Sequence, residues 1–141
     1  MLDLTPLLKL YARRRTKRLA SLDAAAAQQA QLARLLTSAG ATRFGRDHDF
    51  GAIRSPADFK RAVPLRKYDE FWRDYWQKDF PVLDDVAWPG RIPFFAVTSG
   101  TTGDATKYIP VSRAMVRSNK QGALDLLVHH IANRPETRLF G

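Results

Sequence analysis

Apolar residues recur at helical spacing through the first forty positions of the chain. Thr5 and Pro6 give an N-cap and first-turn signal, and Leu8, Tyr11, Ala12, Leu19 and Leu22 continue it, predicting a helix to about Leu22. Asp23 is placed to cap a second helix over 24–38, with Leu32, Leu35 and Leu36 on one side and Gly40 as its stop. The two read as a helical hairpin. Residues 41–53 hold no sustained period and read as loop. Ser55, Pro56 and Asp58 announce a short helix ended by Pro64. Tyr68, Phe71, Trp72, Tyr75 and Trp76 again fall at helical spacing, which favours packing in a core over stacking on bases.

The pattern changes at Arg91. Phe94 to Val97 is a short apolar run bounded by turn signals, the mark of a buried strand. A loop of nine residues, 98–106, separates it from a second extended piece, Lys107 to Val111, which Pro110 is expected to break. Ser112 then caps a long helix to about Asn133, where Pro135 forbids continuation. The expected class is α/β: a mainly helical region over 1–90, followed by a strand-loop-strand-helix unit that opens an α/β core over 91–141.

Composition adds limits. With 45% hydrophobic and 26% charged residues, the chain is neither disordered nor built for a membrane. It has no cysteine, which excludes disulfides and thiolate metal sites and fits a reducing, cytoplasmic setting. No apolar run approaches the roughly 18 to 20 residues of a spanning helix. Lys and Arg number 23 against 14 Asp and Glu, a net charge of +9. More than half of it sits in residues 1–20, where Lys9, Arg13, Arg14, Arg15, Lys17 and Arg18 face Asp3 alone. The leucines precede the arginines, the reverse of a secretory signal, while an Arg-rich presequence stays open as a minor alternative. Spread around a helix, these cations read as a solvated face more readily than as a nucleic-acid or membrane stripe.

The loop carries the most chemistry. Thr98, Ser99, Gly100, Thr101, Thr102, Gly103, Asp104, Ala105 and Thr106 hold five hydroxyls and two glycines and are followed by Lys107. Glycines let the backbone turn tightly and present N–H groups, and hydroxyls add donors toward one centre, so the stretch reads as a phosphate cradle. It is not a Walker loop, which needs four residues between its glycines and a lysine directly after the second. Nor does it fit the dinucleotide fingerprint, because Thr102 stands where that pattern has glycine. A plain hairpin turn has no use for nine residues, since such loops usually take about 2 to 5.

T-S-G-T-T-G followed by lysine resembles the phosphate loop of the adenylate-forming superfamily. The continuation Lys107, Tyr108, Ile109, Pro110 is similar to the auxin-responsive acyl-acid amido synthetases, the Gretchen Hagen family, and their bacterial homologues. T-R-F-G-R at 42–46, Asp58 with Phe59, and V-P-L-R-K-Y at 63–68 extend the likeness upstream. The resemblance implies an enzyme that activates a carboxylic acid with ATP and Mg2+ as an acyl-adenylate, releasing pyrophosphate, and passes the acyl group to an amine or amino acid. Thr98, Ser99, Gly100, Thr101, Thr102 and Gly103 would wrap the phosphates, and Lys107 would add positive potential. No general base is implied, because the nucleophile is already a carboxylate. The resemblance also implies an N-terminal fragment that is inactive alone, since the family's ribose, adenine and C-terminal groups find no match in residues 1–141.

The resemblance further implies that the long last helix helps wall an acyl pocket, with Leu124, Leu126 and Leu127 as the pocket residues; some plant members of the family carry an arginine near the place of Leu126. Two alternatives stay open: transfer to coenzyme A, which the absence of a histidine after Ser112 disfavours, and a basic module that binds nucleic acid without catalysis. Asp125 and His129 share a helix face as a local pair with no further metal ligands in view. Asp47, His48 and Asp49, like Asp84 and Asp85, read as polar loop.

Overall fold

The computed structural model describes residues 4–98 and 106–137. The chain forms two compact units, Met1–Asp23 with Ala114–Gly141, and Ala24–Arg113.

The first unit is built on two helices, α1 (Thr5–Ala20) and α6 (Arg113–Asn133). Thr5 is not the cap of α1: Leu4 takes that place, and Thr5 is buried inside the first turn with Pro6. Ala12 of α1 is buried with Val128 and Ile131 of α6, and Leu8 and Leu127 pack around them. Beside this small core, Arg15 grips Asp125 with both ends of its guanidinium, Nε to Oδ1 at 2.7 Å and Nη2 to Oδ2 at 2.8 Å. Gln121 adds a 2.9 Å bond to the same carboxylate. The expected local pairing of Asp125 with His129 is therefore secondary. The expected solvated face also needs one correction: Arg13, Arg14, Lys17 and Arg18 are exposed, whereas only 20% of the Arg15 side chain is.

Arg15, and after it Gln121, hold the Asp125 carboxyl down at about 2, against an ordinary 3.8. A carboxylate with a depressed folded value contributes its stability above the unfolded value and loses it as pH falls through the folded one. The clasp is thus complete above about pH 4 and is lost between there and about pH 2. Asp125→Asn is expected to flatten the acid limb of the urea midpoint against pH in that window. An acid limb identical to wild type would show that the clasp has no part in it.

The second unit begins with α2 (Ala24–Ala39), whose first two turns are exposed and whose last two carry the buried Leu36 and Ala39. These pack with Phe50 and Ile53, with Leu32, Phe59 and Val63 around them. Within its own unit α2 thus buries Leu36 and Ala39, as α1 buries Ala12 within the other, while Leu7, Leu10 and Tyr11 of α1 are exposed.

Residues expected as loop contain a third helix, α3 (Arg43–Asp47). Thr42, fully buried, caps it: its hydroxyl accepts from Gly45 N at 3.0 Å and donates to Ala39 O at 2.7 Å. Arg43 bonds Asp79 at 2.8 Å and the Tyr75 carbonyl. Phe44 meets Phe50, Phe71 and Tyr75 with ring centroids 5.0 to 5.7 Å apart, and so joins the α2 cluster to a second one of Tyr75, Leu83 and Val86. His48 lies in the turn that ends α3, as expected, but it is buried, with Nδ1 2.9 Å from the Phe44 carbonyl.

The short helix α4 (Pro56–Ala62) forms as expected, because its cap is local. Ser55 Oγ accepts from Asp58 N at 3.1 Å and donates to its carboxylate at 2.8 Å. That hydroxyl, with the Arg54 amide, holds Asp58 below the ordinary carboxylate range.

The aromatic stretch is one four-residue turn, α5 (Tyr68–Phe71), opened by Glu70 accepting from Lys67 N and followed by a π turn over Trp72–Trp76. Widening the turn lets Gln77 N bond Trp72 O at 2.8 Å and sends Tyr75 into the core. These aromatics pack inward, as their spacing suggests. Asp85, at φ 51°, accepts from Gly90 N at 2.7 Å while its carbonyl receives Arg43 N, so the 84–91 loop is tied to α3. Among the described residues no helix is long and apolar enough to cross a membrane.

Candidate functional site

Two strands follow, β1 (Phe94–Thr98) and β2 (Lys107–Val111), paired antiparallel from Phe94↔Val111 to Thr98↔Lys107. β-branched and aromatic residues supply the strand preference. Expected as buried, β1 is largely exposed instead, with Phe94 at 53% and Val97 at 63%. A two-strand ribbon rests on its support through one face only, and Phe95 is the residue of β1 that packs into the cluster of Tyr75, Leu83 and Val86.

Pro110 does not break β2. Residues two apart turn their N–H groups to the same side of a strand, and Tyr108 donates its N–H to Tyr68, away from β1. The missing N–H of Pro110 therefore falls on that outer side, where the ladder with β1 loses nothing.

The ribbon stands on an aromatic floor. Phe80 lies 5.3 Å from Phe95 and 5.0 Å from Tyr108, centroid to centroid, and Trp72 lies 6.2 Å from Tyr108. Tyr68 is stacked on Trp72 at 6.0 Å and reaches β2 with its phenol. Its Oη accepts from Tyr108 N at 2.9 Å and donates to Tyr108 O at 3.3 Å. The Lys107 ammonium lies over the same ring, 5.6 Å from its centroid.

Of the residues expected to wrap phosphate, Thr98 and Lys107 are brought together as a cross-strand pair at the mouth of the loop, Thr98 exposed and Lys107 half-buried. Ser99, Gly100, Thr101, Thr102 and Gly103 lie outside the described residues. Leu124, Leu126 and Leu127 are on α6, in the other unit. Leu127 is half-buried against the Ala12 cluster, Leu124 is half-buried, and Leu126 is 74% exposed. Sequence reasoning missed Tyr68 as part of this region. Its aromatic spacing marks it as packing material, and nothing local signals that its hydroxyl meets a strand edge 40 residues later.

Electrostatically, the mouth of the loop offers a hydroxyl and an ammonium. That donor set suits an anion rich in oxygen, such as a phosphate chain. Among the described residues no cluster of His, Cys, Asp and Glu could hold a metal ion.

Comparison with known proteins bears on the same stretch. The GH3 family N-terminal domain matches residues 15–139, from the middle of α1 past the end of α6. No curated protein and no solved structure was found to match. Matched over most of its length, the chain belongs to the GH3 family, whose members in general are acyl-acid amido synthetases that use ATP to adenylate small-molecule acids.

Proposed function

We propose that the chain is the N-terminal part of a bacterial-type acyl-acid amido synthetase, which activates a carboxylic acid as its acyl-adenylate and transfers the acyl group to an amine or amino acid. The observation that carries this reading is the pairing of Thr98 with Lys107 at the ends of a hydroxyl- and glycine-rich loop, inside the family match. In this reading residues 91–141 open the ATP-binding core of an adenylate-forming domain, and residues 1–90 form the helical region before it.

The proposed chemistry follows from the residues. Carboxylate attack on the α-phosphate of ATP forms the acyl–phosphate bond and breaks the bond to pyrophosphate, so negative charge accumulates on the leaving group. Hydroxyls and backbone N–H groups of residues 98–103, with the Lys107 ammonium, stabilise that charge in place without reorganising. A magnesium ion bound with the nucleotide would shield the same charge. Leu124, Leu126 and Leu127 remain the proposed acyl-pocket residues, and a row of leucines without a cation suits an acid whose body is apolar. The site is proposed to work in the cytoplasm, where ATP is supplied.

The test is exchange of labelled pyrophosphate into ATP by the complete protein. Exchange is expected only when a carboxylic acid is added, and an amide is expected by mass spectrometry once an amino acid is supplied. Exchange that proceeds equally well without any acid, or a thioester with coenzyme A in place of the amide, would overturn the reading.

A further inference from the structure

The geometry points to Tyr68 as the residue that positions the phosphate-loop lysine. This rests on the reading of Lys107 as a phosphate contact and adds to it a residue to which the family-like string at 63–68 gave no role.

Three observations converge on one side chain. The phenol oxygen of Tyr68 takes both polar groups of Tyr108, accepting from its N–H at 2.9 Å and donating to its carbonyl at 3.3 Å. In an antiparallel pair those two groups point to the same side, so one hydroxyl occupies a whole bonding position on the outer edge of β2, as a third strand would. The clamped residue directly follows Lys107, about 3.8 Å along the backbone, so its position fixes the direction in which the lysine leaves the strand. The ring of Tyr68 then lies under the Lys107 ammonium at 5.6 Å. Backbone and side chain of the lysine are thus restrained by one residue.

The ring itself is held. It stacks on Trp72 at 6.0 Å with planes 22° apart and lies 5.9 Å from Trp76. Tyr68 also opens α5, where Glu70 fixes the Lys67 amide at 2.8 Å. A rigid support matters because lysine is a point charge on a flexible stem, and confining it before ATP arrives removes rotamer entropy that binding would otherwise have to oppose. The cation–π contact holds the ammonium against the Tyr68 ring.

Tyr68→Phe keeps the ring and its stacking and removes only the clamp. In pyrophosphate exchange by the complete protein it is expected to lower kcat/KM for ATP about tenfold while leaving the KM for the acid unchanged. Tyr68→Leu, which also removes the ring, is expected to lower it further. Lys107→Ala serves as the reference. If Lys107→Ala retains exchange, the phosphate-contact reading fails and Tyr68 has no lysine role to support. If Lys107→Ala loses exchange while Tyr68→Phe keeps wild-type constants for ATP, the positioning role alone is overturned. A Tyr68→Phe enzyme whose slower exchange disappears once rates are referred to its folded fraction shows a structural role and also overturns it.

Discussion

Gly45→Ala is expected to destabilise the chain by roughly 3 kcal/mol, measured as a fall in the urea midpoint, because there is no room for its methyl group. A Cβ on Gly45 would stand 2.1 Å from the Ala39 carbonyl oxygen, 2.9 Å from its carbon and 3.0 Å from Gly40 Cα. All three are backbone atoms. The oxygen cannot swing aside cheaply, since it already accepts Thr42 N at 3.0 Å and Thr42 Oγ1 at 2.7 Å. Moving α3 outward instead would carry Phe44 with it and open both clusters that its ring joins. Gly122 supplies the opposite sign: it lies in the middle of α6 with nothing within 4 Å of its would-be Cβ. Gly122→Ala is expected to stabilise by about 0.5 to 1 kcal/mol through helix propensity. A Gly45→Ala midpoint equal to wild type would mean that the close approach of α3 to the end of α2 is misplaced.

The same glycine shows where sequence reading succeeds and where it stops. T-R-F-G-R could be recognised as a family-like string, yet its physical purpose was hidden. Thr42 caps, Arg43 bonds Asp79, Phe44 bridges two cores and Gly45 allows the approach, and the partners of Arg43 and Phe44 are distant in sequence. A five-residue helix is also too short to show a 3.6-residue period, so α3 passed for loop. The helix α4 was legible because every bond of its cap lies within four residues.

Side-chain pairs obey the same division. Asp125 has His129 one turn away, which spacing reveals, but its bidentate partner is 110 positions earlier, which spacing cannot reveal. That distant bond also accounts for one member of the arginine run in α1, while its neighbours Arg13 and Arg14 remain exposed. At the loop, Thr98 and Lys107 were legible from composition and spacing, and their pairing follows from two strands joined in sequence. Tyr68 was not, because a phenol that serves a strand edge leaves no periodic trace. The exposure of β1 was equally hidden: an apolar run shows that a strand prefers burial without showing what covers it.

Lys107→Ala is expected to slow acid-dependent pyrophosphate exchange by about 10²- to 10³-fold, the loss typical when one preorganised charge-stabilising donor is removed. The lysine starts β2 opposite Thr98, so its stem leaves the backbone at the mouth of the loop. Charge on the β and γ phosphates is greater in the transition state than in bound ATP, because the bond to the leaving pyrophosphate is breaking. An ammonium aimed there lowers kcat more than it raises the KM for ATP when lost. Lys107→Arg keeps the charge but exchanges a compact ammonium for a planar fork, and is expected to recover only part of the rate. Stability separates this from a folding defect. The ammonium contributes a cation–π contact to Tyr68 worth about 0.5 to 1 kcal/mol at a partly exposed site, so the urea midpoint of Lys107→Ala should shift only slightly. A large fall in rate beside a small shift in midpoint assigns the lysine to chemistry. A variant that unfolds in proportion to its lost activity assigns it to the ribbon instead, and one that exchanges at the wild-type rate removes it from the reaction.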